Sequence, residues 1–241
     1  RRRWRMPFAG GQCNRPRRAA CDTHYTGAPI PPAATMLELF GRANSINVMK
    51  VLWCADECWL KYEREDVGGA FGGNDQKWYL DMNPNGVVPT IDEGGRIVWE
   101  SNSAVRYLAA RHAAGTLWPT DPGLHSEADR WMDWQLSTIA EPMRIAFWGL
   151  IRTPPEKRDM AAIGKAAAEA GKLFGRLDGW LAGRRYVAGD HFTMGDIPVG
   201  CFVYRWYALE IERPELKNVR AWYERLTTRP AYARHVMIKP T

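Results

Sequence analysis

The chain has 241 residues, 46% of them hydrophobic, with twelve tryptophans, so it can bury a sizeable core and is not disordered over most of its length. No apolar run approaches the ~18 residues a membrane-spanning helix needs, and no membrane partner is expected. Seven arginines and one acid, Asp22, in residues 1–35 account for the whole net charge of +6, so the balanced remainder gives no support to nucleic-acid binding.

Residues 1–35 are rich in Arg, Pro, Gly and Ala and lack a hydrophobic period. They are expected to form a basic, disordered extension. An upstream extension ahead of Met36, or vector-derived sequence, explains them before a nucleic-acid arm, a membrane arm or a transit peptide does. The five cysteines, Cys13, Cys21, Cys54, Cys58 and Cys201, contain no CxxC, and their odd number and poor spacing argue against a disulfide framework. A reducing cytoplasm is the expected setting. Cys54 and Cys58 share a helix face as small apolar filler, and no ligand spacing suggests a metal site.

From Met36 the elements come in a regular order. Met36–Phe40 alternates as a strand, and Asn44 or Ser45 can cap a helix from Ile46 to Trp59. Tyr62–Val67 alternates again, and Gly68, Gly69, Gly72 and Gly73 form a flexible loop. A short helix over Gln76–Met82 ends in the turn Asn83-Pro84-Asn85-Gly86. Val87–Asp92 and Arg96–Trp99 form a hairpin about Glu93-Gly94-Gly95. Ser101 is the expected N-cap of a helix reaching His112. This βαβαββα order predicts a mixed sheet with helices on both faces, an α/β unit over residues 36–116.

Leu117–Gly123 reads as a linker, and residues 124–241 show only helical periodicity, an all-α bundle. One long helix is predicted over Glu127–Leu150, a restart at Thr153-Pro154-Pro155-Glu156, and an alanine-rich helix over Ala161–Leu181. A buried helix over Thr193–Tyr207 and a final pair from Pro214 follow. Phe192-Thr193-Met194-Gly195-Asp196-Ile197 reads as a capping box with a hydrophobic staple, so Asp196 is assigned a structural role.

Asn83-Pro84-Asn85-Gly86-Val87-Val88-Pro89, then Trp99-Glu100-Ser101-Asn102, then a helical half containing Phe192-Thr193-x-x-Asp196, resembles the cytosolic glutathione S-transferase family. The opening Phe40-Gly41-Arg42-Ala43-Asn44-Ser45-Ile46-Asn47-Val48 is similar to bacterial members of the serine and asparagine type, theta-, delta- or nu-like. The resemblance covers Met36 to the C-terminus. It implies a thioredoxin-like glutathione-binding domain followed by the helical bundle, glutathione as co-substrate, a small electrophilic partner and a homodimer.

Residue by residue, the resemblance implies that Val88-Pro89 carries a cis peptide, with Val88 pairing the cysteinyl backbone of glutathione as a strand would. It implies that Glu100 and Ser101 hold the γ-glutamyl end. Ser45 ranks first for stabilising the thiolate, Asn47 second and Asn44 third. Asn74 falls where relatives contact the glycyl end, although lysine or glutamine is usual there. Arg144, Phe147, Trp148 and Arg152 are the candidate electrophile wall, with Trp206 and Tyr207 as further candidates, while Trp131 and Trp134 read as bundle core. The arginines there suit an anionic or carboxylated co-substrate. The competing function is a non-catalytic stress-response or interaction protein on the same scaffold. An oxidoreductase using its own cysteine is disfavoured, because no cysteine stands at the start of the first helix.

Overall fold

In the computed structural model, which describes residues 36–241, the first strand (β1, Leu37–Phe40) buries Leu37 and Leu39 and turns Glu38 outward, as its alternation predicts. The expectations for residues 1–35, with Cys13 and Cys21, lie outside the described residues. Parallel to β1 runs β2 (Tyr62–Glu65), with Leu37 opposite Tyr62, and antiparallel to it runs β3 (Thr90–Glu93), with Leu37 opposite Glu93. The sheet closes with β4 (Ile97–Trp99), in the order β2-β1-β3-β4. Gly94 and Gly95 both have positive φ between Glu93 and Arg96, which mutually bond, so the predicted hairpin turns in two residues.

Three helices accompany the sheet: α1 (Ile46–Glu57), the short α2 (Lys77–Leu80) and α3 (Ser101–His112). Several predicted bounds shift for physical reasons. The strand expected over Val87–Asp92 begins only at Thr90, because the preceding Val88-Pro89 bond is cis and turns the chain. The glycine run is a closed turn: Gly68 N–H bonds the Gly72 carbonyl, and a helical turn spans Gly69–Phe71. Arg42 lies against Gly69, where a Cβ would come within 3.0 Å of its guanidinium. Ser101 is the first helical residue of α3, and Glu100 takes the capping position expected of Ser101.

The helical half opens with α4 (Pro122–Trp134), earlier than the predicted Glu127, because Asp121 caps it by accepting from Leu124 N–H and Pro122 takes the first turn. It continues through a widened π turn over Gln135–Ile139 into α5 (Ala140–Phe147) and a second π turn over Trp148–Arg152. Pro142 lies just past the first π turn and has no N–H to donate, which accounts for widening there rather than regular α-helix. Next come α6 (Met160–Leu181), capped by Asp159, α7 (Asp196–Ala208), α8 (Lys217–Thr227) and α9 (Pro230–His235).

One continuous core runs from Leu37, Val51 and Leu108 to Ile197, Trp206 and Trp222. Trp53 on α1 is fully buried, 4.6 Å from the Tyr232 ring and 5.3 Å from that of Phe192. Trp131 and Trp134 meet edge to face in the bundle, their ring centroids 5.0 Å apart, in line with the core role read from the sequence. Among the described residues no helix is long and apolar enough to cross a membrane, and no cluster of three or more His, Cys, Asp or Glu is placed to hold a metal ion.

Candidate active site

At the junction of β1 and α1, the backbone of Ser45 caps the helix, its carbonyl accepting from Met49 N–H at 2.9 Å. Its hydroxyl does not join the cap and has no hydrogen-bond partner among the described residues, although Ser45 is only 9% exposed. Ser45 sits at the edge of a cavity of about 280 Å³, next to the positive end of α1. The two neighbouring candidates are placed differently. Asn47 is exposed on the outer face of α1. Asn44 lines the cavity, donates its amide to Thr241 Oγ1 at 2.8 Å and leaves Oδ1 buried without a partner.

A polar network holds the cis peptide. The Val87 carbonyl accepts from Tyr79 OH at 2.7 Å and from Asn83 Nδ2 at 2.8 Å, and Thr90 Oγ1 bonds both of those side chains. The next residue, Val88, has neither its N–H nor its C=O engaged by the protein among the described residues. A donor and an acceptor on one extended residue can take the backbone of an extended peptide in the manner of an added strand. Asn74 is spent locally: its Nδ2 bonds the Gly86 carbonyl at 2.7 Å, tying the glycine loop to the Asn83–Gly86 turn.

Glu100 has a φ of +65°, uncommon for a residue with a side chain, and its carboxylate is exposed and without an ion-pair partner among the described residues. Ser101, buried beside it, accepts at Oγ from Lys50 Nζ at 3.3 Å. Lys50 is 1% exposed, and it also bonds Asn102 Oδ1 and Gln135 Oε1, at 3.2 and 2.8 Å. Burial lowers this ammonium to about 8. Sequence reading missed Lys50; a lysine four residues into an otherwise apolar helix face was the available signal.

Opposite Ser45 the cavity is walled by Phe147, Trp148 and Arg152, three of the four expected residues. Arg144 lies outside it, exposed and paired with Glu141 on its own helix at 2.7 Å. Trp206 is buried against Phe174 and Tyr207 stacks on Tyr223, so neither lines the cavity. Two unanticipated arginines complete the wall. Arg42 comes from the β1–α1 loop, and Arg205 comes from α7 and packs 3.7 Å over the Phe147 ring. Burial draws Arg205 down to about 10, with Arg152 and Arg42 adding repulsion. Arg42 is lowered by burial and by Arg152. Among the described residues no carboxylate pairs with Arg42, Arg152 or Arg205, so the cavity collects uncompensated positive charge beside a free hydroxyl.

The thiols of the described residues take no part in this arrangement. Cys54 is buried in α1, its thiol raised by hydrogen bonding with Cys58 and by burial, and Cys201 is pushed by burial up to about 12.

Two family models match the chain: the N-terminal domain of glutathione S-transferases over residues 44–111, and their C-terminal domain over 140–230. A theta-class glutathione S-transferase from the citrus canker pathogen Xanthomonas axonopodis pv. citri, solved with glutathione bound, superposes with a TM-score of 0.83. It shares 50% identity and covers 86% of this chain and 100% of its own. Glutathione S-transferase 3 of Zea mays is 27% identical over 217 residues, 85% of this chain and 95% of its own. Glutathione S-transferase GstB of Escherichia coli (strain K12) is 43% identical over 205 residues, which is 84% of this chain and 99% of that protein. Such identity along nearly the whole of a relative leaves one assignment: the chain belongs to the glutathione S-transferase family.

Proposed function

We propose that the protein is a glutathione transferase in which Ser45 holds the sulfur of glutathione as thiolate for attack on a small, anionic electrophile. The observation that carries this reading is the uncommitted, nearly buried Ser45 hydroxyl at the start of α1, facing the cavity lined by Trp148 and Arg152. A free thiol has a pKa of about 8.5 and is mostly protonated at neutral pH. An O–H directed at the sulfur, with the helix end behind it, stabilises the thiolate, which is the nucleophile. Ser45 keeps its own proton throughout and only donates a hydrogen bond, so the proton of the thiol passes to solvent and Ser45 needs no partner base.

The other polar groups fit the rest of glutathione. The free N–H and C=O of Val88 suit its cysteinyl backbone, and Ser101 and Glu100 suit the carboxylate and ammonium of its γ-glutamyl end. Asn74, committed to Gly86, supports a structural role better than a glycyl contact. Arg42, Arg152 and Arg205 favour a carboxylated co-substrate such as a halo-acid. There the C–S bond forms as the carbon–halogen bond breaks, and halide leaves. Peroxide or disulfide reduction starts from the same thiolate but breaks a different bond: attack on O–O forms a sulfenic acid and releases an alcohol or water, and attack on S–S forms a mixed disulfide and releases a thiol. A homodimer in the cytoplasm, usual for the family, completes the reading. The retention of Ser45, Val88-Pro89 and Glu100-Ser101 together favours an enzyme over a non-catalytic relative.

Calorimetric titration of the full chain with reduced glutathione, beside thiolate absorbance, tests this. Wild type should bind and show thiolate near neutral pH. Ser45→Ala should bind within about threefold yet lose the thiolate signal, since one pKa unit corresponds to about 1.4 kcal/mol. No binding at millimolar glutathione removes the reading. A thiolate signal that survives Ser45→Ala moves the role to Asn44 or Asn47.

A further inference from the structure

We propose that Lys50, a buried side chain with no surface of its own, is a positioning residue for the α-carboxylate of glutathione, acting through the hydroxyl of Ser101. The inference rests on the transferase reading above and adds to it the group that sets the γ-glutamyl site.

The geometry is specific. A lysine ammonium has three protons, and here all three are assigned: to Ser101 Oγ, Asn102 Oδ1 and Gln135 Oε1. The three acceptors stand on different parts of the fold, two in the first turn of α3 and one at the head of the first π turn, so α1 reaches across to both. Every acceptor is neutral. Among the described residues the titratable groups around the ammonium are Glu100 before α3, Arg205 on α7, and the Cys201 thiol on α7, which burial keeps neutral; the Phe202 ring of α7 lies 5.6 Å from Nζ. Among the described residues no carboxylate bonds the ammonium directly. A buried charge left in this state is costly, and proteins as a rule pair it or neutralise it.

The consequence for Ser101 follows from its hydrogen-bond inventory. A serine hydroxyl has one proton and can accept at its oxygen. Lys50 occupies an acceptor position, and no described residue takes the proton. The hydroxyl proton is therefore free for an incoming acceptor, polarised by the ammonium behind it, and chains of this kind strengthen one another. An acceptor arriving as a carboxylate also supplies the negative charge that Lys50 lacks. A neutral residue at position 50 would leave Ser101 free to rotate its proton toward Asn102 or Gln135.

A lysine that merely braces three helical segments would show the same hydrogen bonds, so the test must separate bracing from positioning. Two ligands serve: glutathione, and 4-aminobutyryl-cysteinyl-glycine, which is glutathione without its α-carboxylate. Kd values for both are measured by calorimetry on wild type and on Lys50→Met in the full chain. In wild type, removing the carboxylate should weaken binding about thirtyfold, the range of a charge-assisted hydrogen bond. In Lys50→Met the same change should weaken it about threefold or less, because the site no longer distinguishes the two. If Lys50→Met weakens both ligands by the same factor, Lys50 is a brace and the proposal is overturned. Should Lys50→Met fail to fold, Lys50→Gln, which keeps a donor and loses the charge, is read by the same ratio. Absence of glutathione binding by wild type would overturn the transferase reading itself, and is distinguishable because it appears before any variant is made.

Discussion

Arg42, Arg152 and Arg205 gather around the cavity of Ser45 from a loop, a π turn and a helix far apart in the chain, and they show how residue chemistry was only half legible. Arg152 is a wall candidate that the family resemblance implies, placed with the aromatic residues of the long helix. The resemblance implies Arg144 as well, but Glu141, three residues before it, holds it at the surface. Arg42 and Arg205 share no sequence period with either, and only the fold brings them together. Ser45 was legible because a hydroxyl before a helix has a recognisable position. That its side chain leaves the cap unused was not, since a capping bond is the usual fate of such a serine. The charge has a measurable consequence. For chloroacetate and its neutral counterpart chloroacetamide, which present the same reacting carbon, Arg42→Met together with Arg152→Met should lower kcat/KM for the acid about tenfold more than for the amide. Rising salt should shrink the difference, because Arg152 is exposed. Equal losses on both substrates would remove the anionic substrate class.

Helix starts were legible as patterns more than as positions, and α7 shows why: it begins at Asp196 with Gly195 as its cap, not at the predicted Thr193. The pattern Thr193-x-x-Asp196 predicts a side chain reaching back to the cap, and Asp196 Oδ2 does accept from Thr193 N–H at 3.0 Å. The sequence gives no hint that Oδ1 also accepts from Val187 N–H and from Trp222 Nε1, at 3.0 and 2.9 Å, so that one carboxyl joins α7, α8 and the chain before α7. The close approach beside it has the same character: a Cβ on Gly195 would meet the Ala128 backbone at 2.7 Å, which a pattern within α7 cannot foresee. The π turns were invisible for a related reason, since a 3.6-residue period has no place for an inserted residue. Asp196→Asn should lose about 2–4 kcal/mol in chemical denaturation, because the new amide opposes donors with a donor in a buried site. Burial raises the Asp196 carboxyl to about 6, against the pull of its donors. Between its ordinary value and 6 the unfolded chain has already lost the proton that the fold retains, so this group's contribution to stability falls as pH rises through that window. The gap between wild type and Asp196→Asn should accordingly be wider at pH 4 than at pH 7, and a gap that widens with pH would contradict the assignment.

Over the whole molecule, the division into an α/β part and a helical part describes the sequence better than it describes the energetics. Helix α1 belongs by order to the first part, yet its Trp53 packs on Tyr232 and Phe192 of the second, and Gly200 on α7 leaves a Cβ position within 2.8 Å of that indole. Glu57 at its end takes both arms of Arg229, with Nε at 2.7 Å, and Asp56 accepts from Arg234 and His235 of α9. Lys50 on the same helix reaches Gln135. These contacts follow from faces that periodicity identifies as apolar or charged without naming their partners, which is why the order of elements was readable and their union was not. If α1 is the shared wall, residues 36–116 alone leave Trp53 and its apolar neighbours in water, and the exposed patch favours association over an ordered monomer. That fragment should show poor NMR dispersion or aggregate, whereas the full chain should unfold in one transition, with tryptophan fluorescence and far-UV circular dichroism giving coincident midpoints. Two separated transitions, or a well-dispersed spectrum from the fragment, would mean that the α1 contacts with α7 and α9 add little and that the sheet with its own helices carries a sufficient core.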